Sequence, residues 1–117
     1  MRLLRSFRFA LHGLWSVYRS EQNFRIQLIA FVAIVAAGTF LGIHAWELIA
    51  LVLVGGAVLV LECINSAVER LLDLVQPRLH EYVREIKDIM AGAVLVASVG
   101  SVVVGITIFL PYALRIL

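Results

Sequence analysis

LIALVLVGGAVLVLECINSAVERLLDLV, residues 48–75, joins two kinds of sequence in one unbroken helical pattern. Residues 48–61 are all apolar or glycine, yet Glu62, Asn65, Ser66, Glu69 and Asp73 follow without a turn signal, and Pro77 is the first residue that closes the pattern. A helix over 48–75 is about 42 Å long at about 1.5 Å per residue, more than a hydrocarbon core of about 30 Å, so its last turns emerge from the lipid. At about 100° per residue the five polar side chains share one stripe about 100° wide. Counted from residue 48, Glu62 stands about 21 Å along the helix, still within the cytoplasmic half of a bilayer. A carboxylate at that depth costs about 3 kcal/mol on insertion scales, so it must face other protein, a water-filled cleft or a cation.

The rest of the chain fits around that helix. With 117 residues, 62% hydrophobic and 15% charged, and a mean hydropathy of +1.01, the composition is that of an integral membrane protein with room for three spans. Residues 1–20 mix Arg2, Arg5, Arg8 and Arg19 with Leu, Phe, Trp and Tyr at helical spacing, which predicts an amphipathic helix on the membrane surface. Arg8 and His12 interrupt the place where a signal peptide would have its apolar core, so this segment is expected to be retained. The expected organisation is a single all-α membrane domain over 1–117: surface helix 1–20, first span 26–46, second span 48–75, cytoplasmic connector 77–88 and third span 89–110. Nine of the ten basic residues lie before the first span or between Arg70 and Lys87, which puts the N-terminus and the connector on the cytoplasmic side of a multi-pass protein. Small residues at helical spacing, Gly38 and Gly42, then Ala93, Ala97, Ser101 and Gly105, predict close helix packing. The lone Cys63 has no intrachain partner and reads as a small buried hydrophobe. A net charge of +2 with scattered basic residues gives no nucleic-acid surface.

Three carboxylates and an amide on one face exceed what helix packing needs. Oxygen ligands gathered without His or Cys suit Mg²⁺, which is commonly held by one or two carboxylates together with phosphate oxygens. In SEQNFRI, residues 20–26, Glu21 and Arg25 stand at i and i+4 and alone would read as a helix-surface ion pair; because the chain reverses twice, Glu21 and Glu69 could also share one ion. Lys87 and Asp88 precede the third span, where Lys87 reads either as an interfacial anchor or as a phosphate partner. No glycine-rich phosphate loop is present, which excludes a conventional soluble kinase fold. Two other classes remain open on these residues alone: a small oligomeric ion-binding channel or transporter, and a noncatalytic membrane assembly subunit.

Taken in order, SFRFALHGL, SEQNFRI, LECINSAVERLLDL and HEYVREIKDIMAGAVLVAS resemble the prokaryotic diacylglycerol kinase family, which includes undecaprenol kinases. The resemblance implies a homotrimeric enzyme of the bacterial inner (cytoplasmic) membrane that transfers the γ-phosphate of ATP to a lipid hydroxyl, with Mg²⁺ as cofactor. By position it makes Glu62 the catalytic base and Glu21 and Glu69 the metal and nucleotide carboxylates. It places His80, Lys87 and Asp88 near the nucleotide, and Arg2 and Phe9 of the surface helix near nucleotide and lipid. Asn65, Asp73 and Arg25 become supporting polar groups. Two positions depart from the family pattern: Gln27 stands where diacylglycerol kinases often carry an acid, and His12 where a fixed positive charge is common. The implied acceptor is undecaprenol or diacylglycerol.

Overall fold

The computed structural model describes residues 1–75, 77–78 and 80–117, so Leu79 of the expected connector lies outside the described residues. Among the described residues the chain forms four helices, α1 (Arg2–Ser20), α2 (Gln22–Leu41), α3 (Ala45–Asp73) and α4 (His80–Ile116). The last three are long and apolar enough to cross a membrane. Both α2 and α4 pack on α3, while α1 rests against α2 and α3. The helix carrying the polar stripe is therefore the one that the other three pack around or rest against.

Particular residues make the breaks. Glu21 is extended (φ −115°, ψ 111°) and separates α1 from α2. The last carbonyls of a helix lack partners within it, and Arg25 supplies them here, its Nη1 donating to the carbonyls of Tyr18 at 2.8 Å and Arg19 at 2.9 Å. At the other end of α2, Gly42 takes a left-handed conformation (φ 69°). The Gly42 N–H donates to the Thr39 carbonyl and the Ile43 N–H to the Gly38 carbonyl, the paired bonds of a Schellman stop. Ile43 then folds over the buried Gly38, where an added Cβ would lie 2.8 Å from Ile43 Cδ1. The His44 N–H donates to Glu47 Oε1 at 3.0 Å and starts α3.

These devices move boundaries expected from hydropathy. The first span was expected over 26–46; its helix begins earlier, at Gln22, and stops at Leu41, so that Ala45 and Trp46 already belong to α3. Of the expected connector 77–88, residues 80–88 are the helical start of α4. The third expected span, within α4, also runs through Pro111 instead of ending near it. Proline removes one bond, to the carbonyl four residues back, and near a helix end that loss is tolerated. The turn beyond it is held by Tyr112, whose hydroxyl donates to Glu47 Oε1 at 2.6 Å.

Few apolar side chains are buried among the described residues. Phe24, Leu51, Val58 and Ile108 form a narrow seam between the helices, whereas Phe40 is 90% and Val96 73% exposed, as befits side chains turned to lipid tails or to other helices.

Candidate functional site

The polar stripe of α3 is turned inward where it is deepest. Glu62 is 5% exposed. Gln27, in the second turn of α2, donates its Nε2–H to Glu62 Oε1 at 3.0 Å. One turn further along α3, Ser66 is 1% exposed and its hydroxyl donates to Glu21 Oε1 at 3.3 Å. Glu21 is free to do this because its extended backbone, between two helices, aims the side chain across at α3. The structure therefore brings Glu21 to the stripe of Glu62 although the two are far apart in sequence. Glu69, half-buried, lies three residues past Ser66 on the same face; Asn65 is half-buried beside it, and Asp73 is exposed at the end of the helix.

Two arginines fix this corner. Arg25 caps α1 instead of forming the helix-surface pair with Glu21 that the i, i+4 spacing suggested, and Glu21 takes its bond from Ser66. Arg70, in the last turn of α3, donates from Nη1 to Ser16 Oγ at 3.1 Å and from Nη2 to Ser20 Oγ at 2.8 Å. The end of α1 is thus tied to both neighbours, and the tie sets the position of Glu21.

The partners of Glu62 and Glu21 are a carboxamide and a hydroxyl, neither of them charged. Their negative charge is left for something else to balance. Among the described residues, no three His, Cys, Asp or Glu side chains converge as a metal cage. Two carboxylates without such a cage fit an ion that brings phosphate oxygens as its remaining ligands, the usual arrangement for Mg²⁺. Glu21 and Glu69 are the residues suited to that role.

The other expected site residues are less gathered. His80, Lys87 and Asp88 share one side of the first turns of α4 and line a recess with Val83 and Arg84. Arg2 and Phe9 lie on the exposed first half of α1, and no hydrogen bond among the described residues ties either to the α3 stripe. Reading the sequence missed the use of Gln27 and Ser66. A signal was available for Gln27, the only amide in the uncharged run over 26–43. Ser66 was visible in the stripe, but nothing local pointed to Glu21 as its partner. The contact of Glu47 with Tyr112 at the opposite end of the molecule was missed as well.

Comparison with known proteins places this geometry in context. The family described as prokaryotic diacylglycerol kinase matches residues 8–109. A diacylglycerol kinase of Synechocystis sp. is 37% identical over 116 residues, 98% of this chain and 66% of the relative. An undecaprenol kinase of Bacillus subtilis is 34% identical over 110 residues, 94% of this chain and 89% of the relative. A diacylglycerol kinase of Haemophilus influenzae is 32% identical over 109 residues, 92% of each chain. The chain thus spans about two thirds of the first of these relatives and nearly all of the other two.

Proposed function

The chain belongs to the prokaryotic diacylglycerol kinase family, and from that premise we propose that it is a membrane lipid kinase transferring the γ-phosphate of ATP to the hydroxyl of undecaprenol or diacylglycerol. The observation that carries the reading is the buried carboxylate of Glu62, held by the Gln27 amide in a helix otherwise apolar at that depth. A carboxylate kept there needs a use, and accepting a proton is one that it can perform.

In the proposed reaction Glu62 takes the proton of the lipid hydroxyl as the oxygen forms its bond to the γ-phosphorus. The bond between that phosphorus and the β–γ bridging oxygen breaks, ADP leaves, and Glu62 later yields its proton to water. Glu21 and Glu69 hold Mg²⁺, which when bound neutralises phosphate charge. Lys87 offers a point charge for phosphate, His80 and Asp88 stand beside it, and Arg2 and Phe9 approach the nucleotide from α1. Asn65, Asp73 and Arg25 support the site as polar neighbours. The working enzyme is a homotrimer in the bacterial inner membrane, with the surface helix α1, the N-terminus and the site on the cytoplasmic side. The excess of basic residues at that end supports the orientation, and the exposed apolar flanks of α2 to α4 support assembly.

The test is label transfer from γ-labelled ATP in mixed micelles supplied separately with each lipid. Wild type should give labelled lipid, and Glu62→Gln, which keeps size and hydrogen bonding, should lower the rate by about 10² to 10⁴ while the protein stays folded. Product from Glu62→Gln at the wild-type rate would remove Glu62 from the chemistry.

A further inference from the structure

Helix α1 carries four arginines and no acidic residue, and most of that charge points away from the α3 stripe. At about 100° per residue the circumference of α1 divides into three sides. One side meets the bundle: Val17 is buried, Gly13 and Val17 line a recess with Ser66 and Arg70 of α3, and Ser16 and Ser20 accept the bonds from Arg70. The next side is apolar. Leu11, Leu14, Trp15 and Tyr18 overhang a hydrocarbon recess of about 540 Å³ against Phe24 and Leu59, and the exposed Leu4 and Phe7 continue that side toward the N-terminus.

Arg8, Arg19, His12 and Arg5 come next, within about 60° of one another, and Arg8 stands about 180° round the helix from Val17. All four are exposed. The row therefore faces outward from its own bundle and directly borders the apolar side, where the Arg19 guanidinium lies 5.9 Å from the centre of the Trp15 ring. Arg2 stands apart from the row, on the side that Ser20 shares. Arg5 and Arg8 line one small recess with Met1 and Leu4, where two planar guanidinium forks can share the oxygens of a phosphate. A soluble anion has no use for hydrocarbon beside the charge. The occupant that matches both sides is one whose anionic group begins where its hydrocarbon ends, and basic amphipathic helices draw such lipids to the membrane surface.

We propose that Arg5, Arg8 and Arg19 hold the phosphate headgroups of anionic phospholipids in the surrounding bilayer, and that this hold seats α1 and with it the corner at Glu21. The proposal rests on the surface position of α1 and not on the phosphoryl-transfer chemistry. Packing alone holds α1 weakly, since Val17 is its one buried side chain among the described residues. The seat reaches Glu21 because the last turn of α1 is tied to Arg70 through Ser16 and Ser20 and to Arg25 through the carbonyls of Tyr18 and Arg19.

The experiment uses the full chain with Trp46→Phe, which leaves Trp15, beside the row, as the single tryptophan. Bilayers hold equal amounts of phosphatidylcholine and phosphatidylglycerol, with brominated acyl chains on one lipid or the other, so that quenching of Trp15 reports which lipid lies against α1. Phosphatidylglycerol should be favoured by about five-fold, the factor that one basic residue near an anionic surface carries. Arg8→Gln combined with Arg19→Gln should remove most of that preference, Arg8→Lys combined with Arg19→Lys should keep it, and about 1 M salt should weaken it by screening. Amide exchange over residues 17–21 should be slower in phosphatidylglycerol than in phosphatidylcholine for the arginine chain, and alike in both for the glutamine variant. Equal quenching by the two lipids, or a preference that survives in the glutamine variant, overturns the assignment of the row. Exchange indifferent to the lipid overturns the seating of Glu21. A glutamine variant whose oligomer dissociates while its lipid preference persists shows that the row meets a second copy of the chain, which overturns the proposal too. Neither readout uses ATP, so a failure of the kinase reading leaves this test intact.

Discussion

Ser66 shows how much one hydroxyl can organise. It is the most buried polar side chain of the stripe, and its bond to Glu21 is the only described link between that carboxylate and α3. A neutral hydrogen bond of this kind contributes about 1 kcal/mol net, small against the stability of a helical bundle but large for the placement of one side chain. Ser66→Ala is therefore expected to leave the protein folded while Glu21 loses its anchor. If Glu21 is a metal carboxylate, the Mg²⁺ concentration for half-maximal rate should rise by about three- to ten-fold, the range set by one such bond. Titration of rate against Mg²⁺ at saturating lipid checks this, and a superimposable curve would separate Glu21 from metal binding. Glu69→Gln should move the same curve in the same direction, because that change removes a charge and keeps the side-chain shape.

At the scale of the elements, arginines reinforce the corner between α1 and α2, where Val17 and Phe24 are also buried. Arg25 takes the last carbonyls of α1, and Arg70 reaches across from α3 to Ser16 and Ser20. Arg25→Ala should release the end of α1, so that amide exchange speeds up from Val17 to Glu21 with little change in the middle of α3. Exchange read by mass spectrometry would detect this, and unchanged protection would show that α1 is held without the cap. The helices themselves were legible because long uncharged runs admit few alternatives, and the stripe was legible because charge inside lipid is costly enough to need a reason. Their ends were less legible. Hydropathy runs smoothly from residue 26 into residue 46, while the stop at Gly42 depends on a left-handed glycine and the fit of Ile43 over Gly38. The connector PRLHEYVREIKD was read as a charged link, yet Glu, Arg and Lys are good helix formers and most of it continues α4. In the site, the meetings of Gln27 with Glu62 and of Ser66 with Glu21 span 35 and 45 residues, and no local pattern encodes them.

On the scale of the whole molecule, the two ends of α3 do different work. Toward its C-terminus it carries Glu62, whose hydrogen-bond partner is a neutral amide, and Ser66, which binds Glu21. At the other end, Glu47 is 8% exposed, and its Oε1 accepts from both the His44 N–H and the Tyr112 hydroxyl. Within α4, Arg115 lies 5.2 Å from the centre of the Tyr112 ring, and the bond from Tyr112 to Glu47 ties the last turns of α4 to the start of α3. Fifteen residues separate Glu47 from Glu62, about 22 Å along the helix. A change at the clasp of Glu47 and Tyr112 should therefore reach stability before chemistry. Tyr112→Phe retains the ring under Arg115 and removes only the donor, leaving a buried carboxylate with one partner fewer. The expected effect is a loss of stability, because a hydrogen bond to a charged group is removed. Unfolding by SDS in mixed micelles should show that loss, while kcat and both KM values measured in the folded range stay at wild-type levels. A fall in kcat without a fall in stability would mean that the clasp governs the distant site, and that the start of α3 and the end of α4 move with Glu62 instead of merely holding the bundle closed.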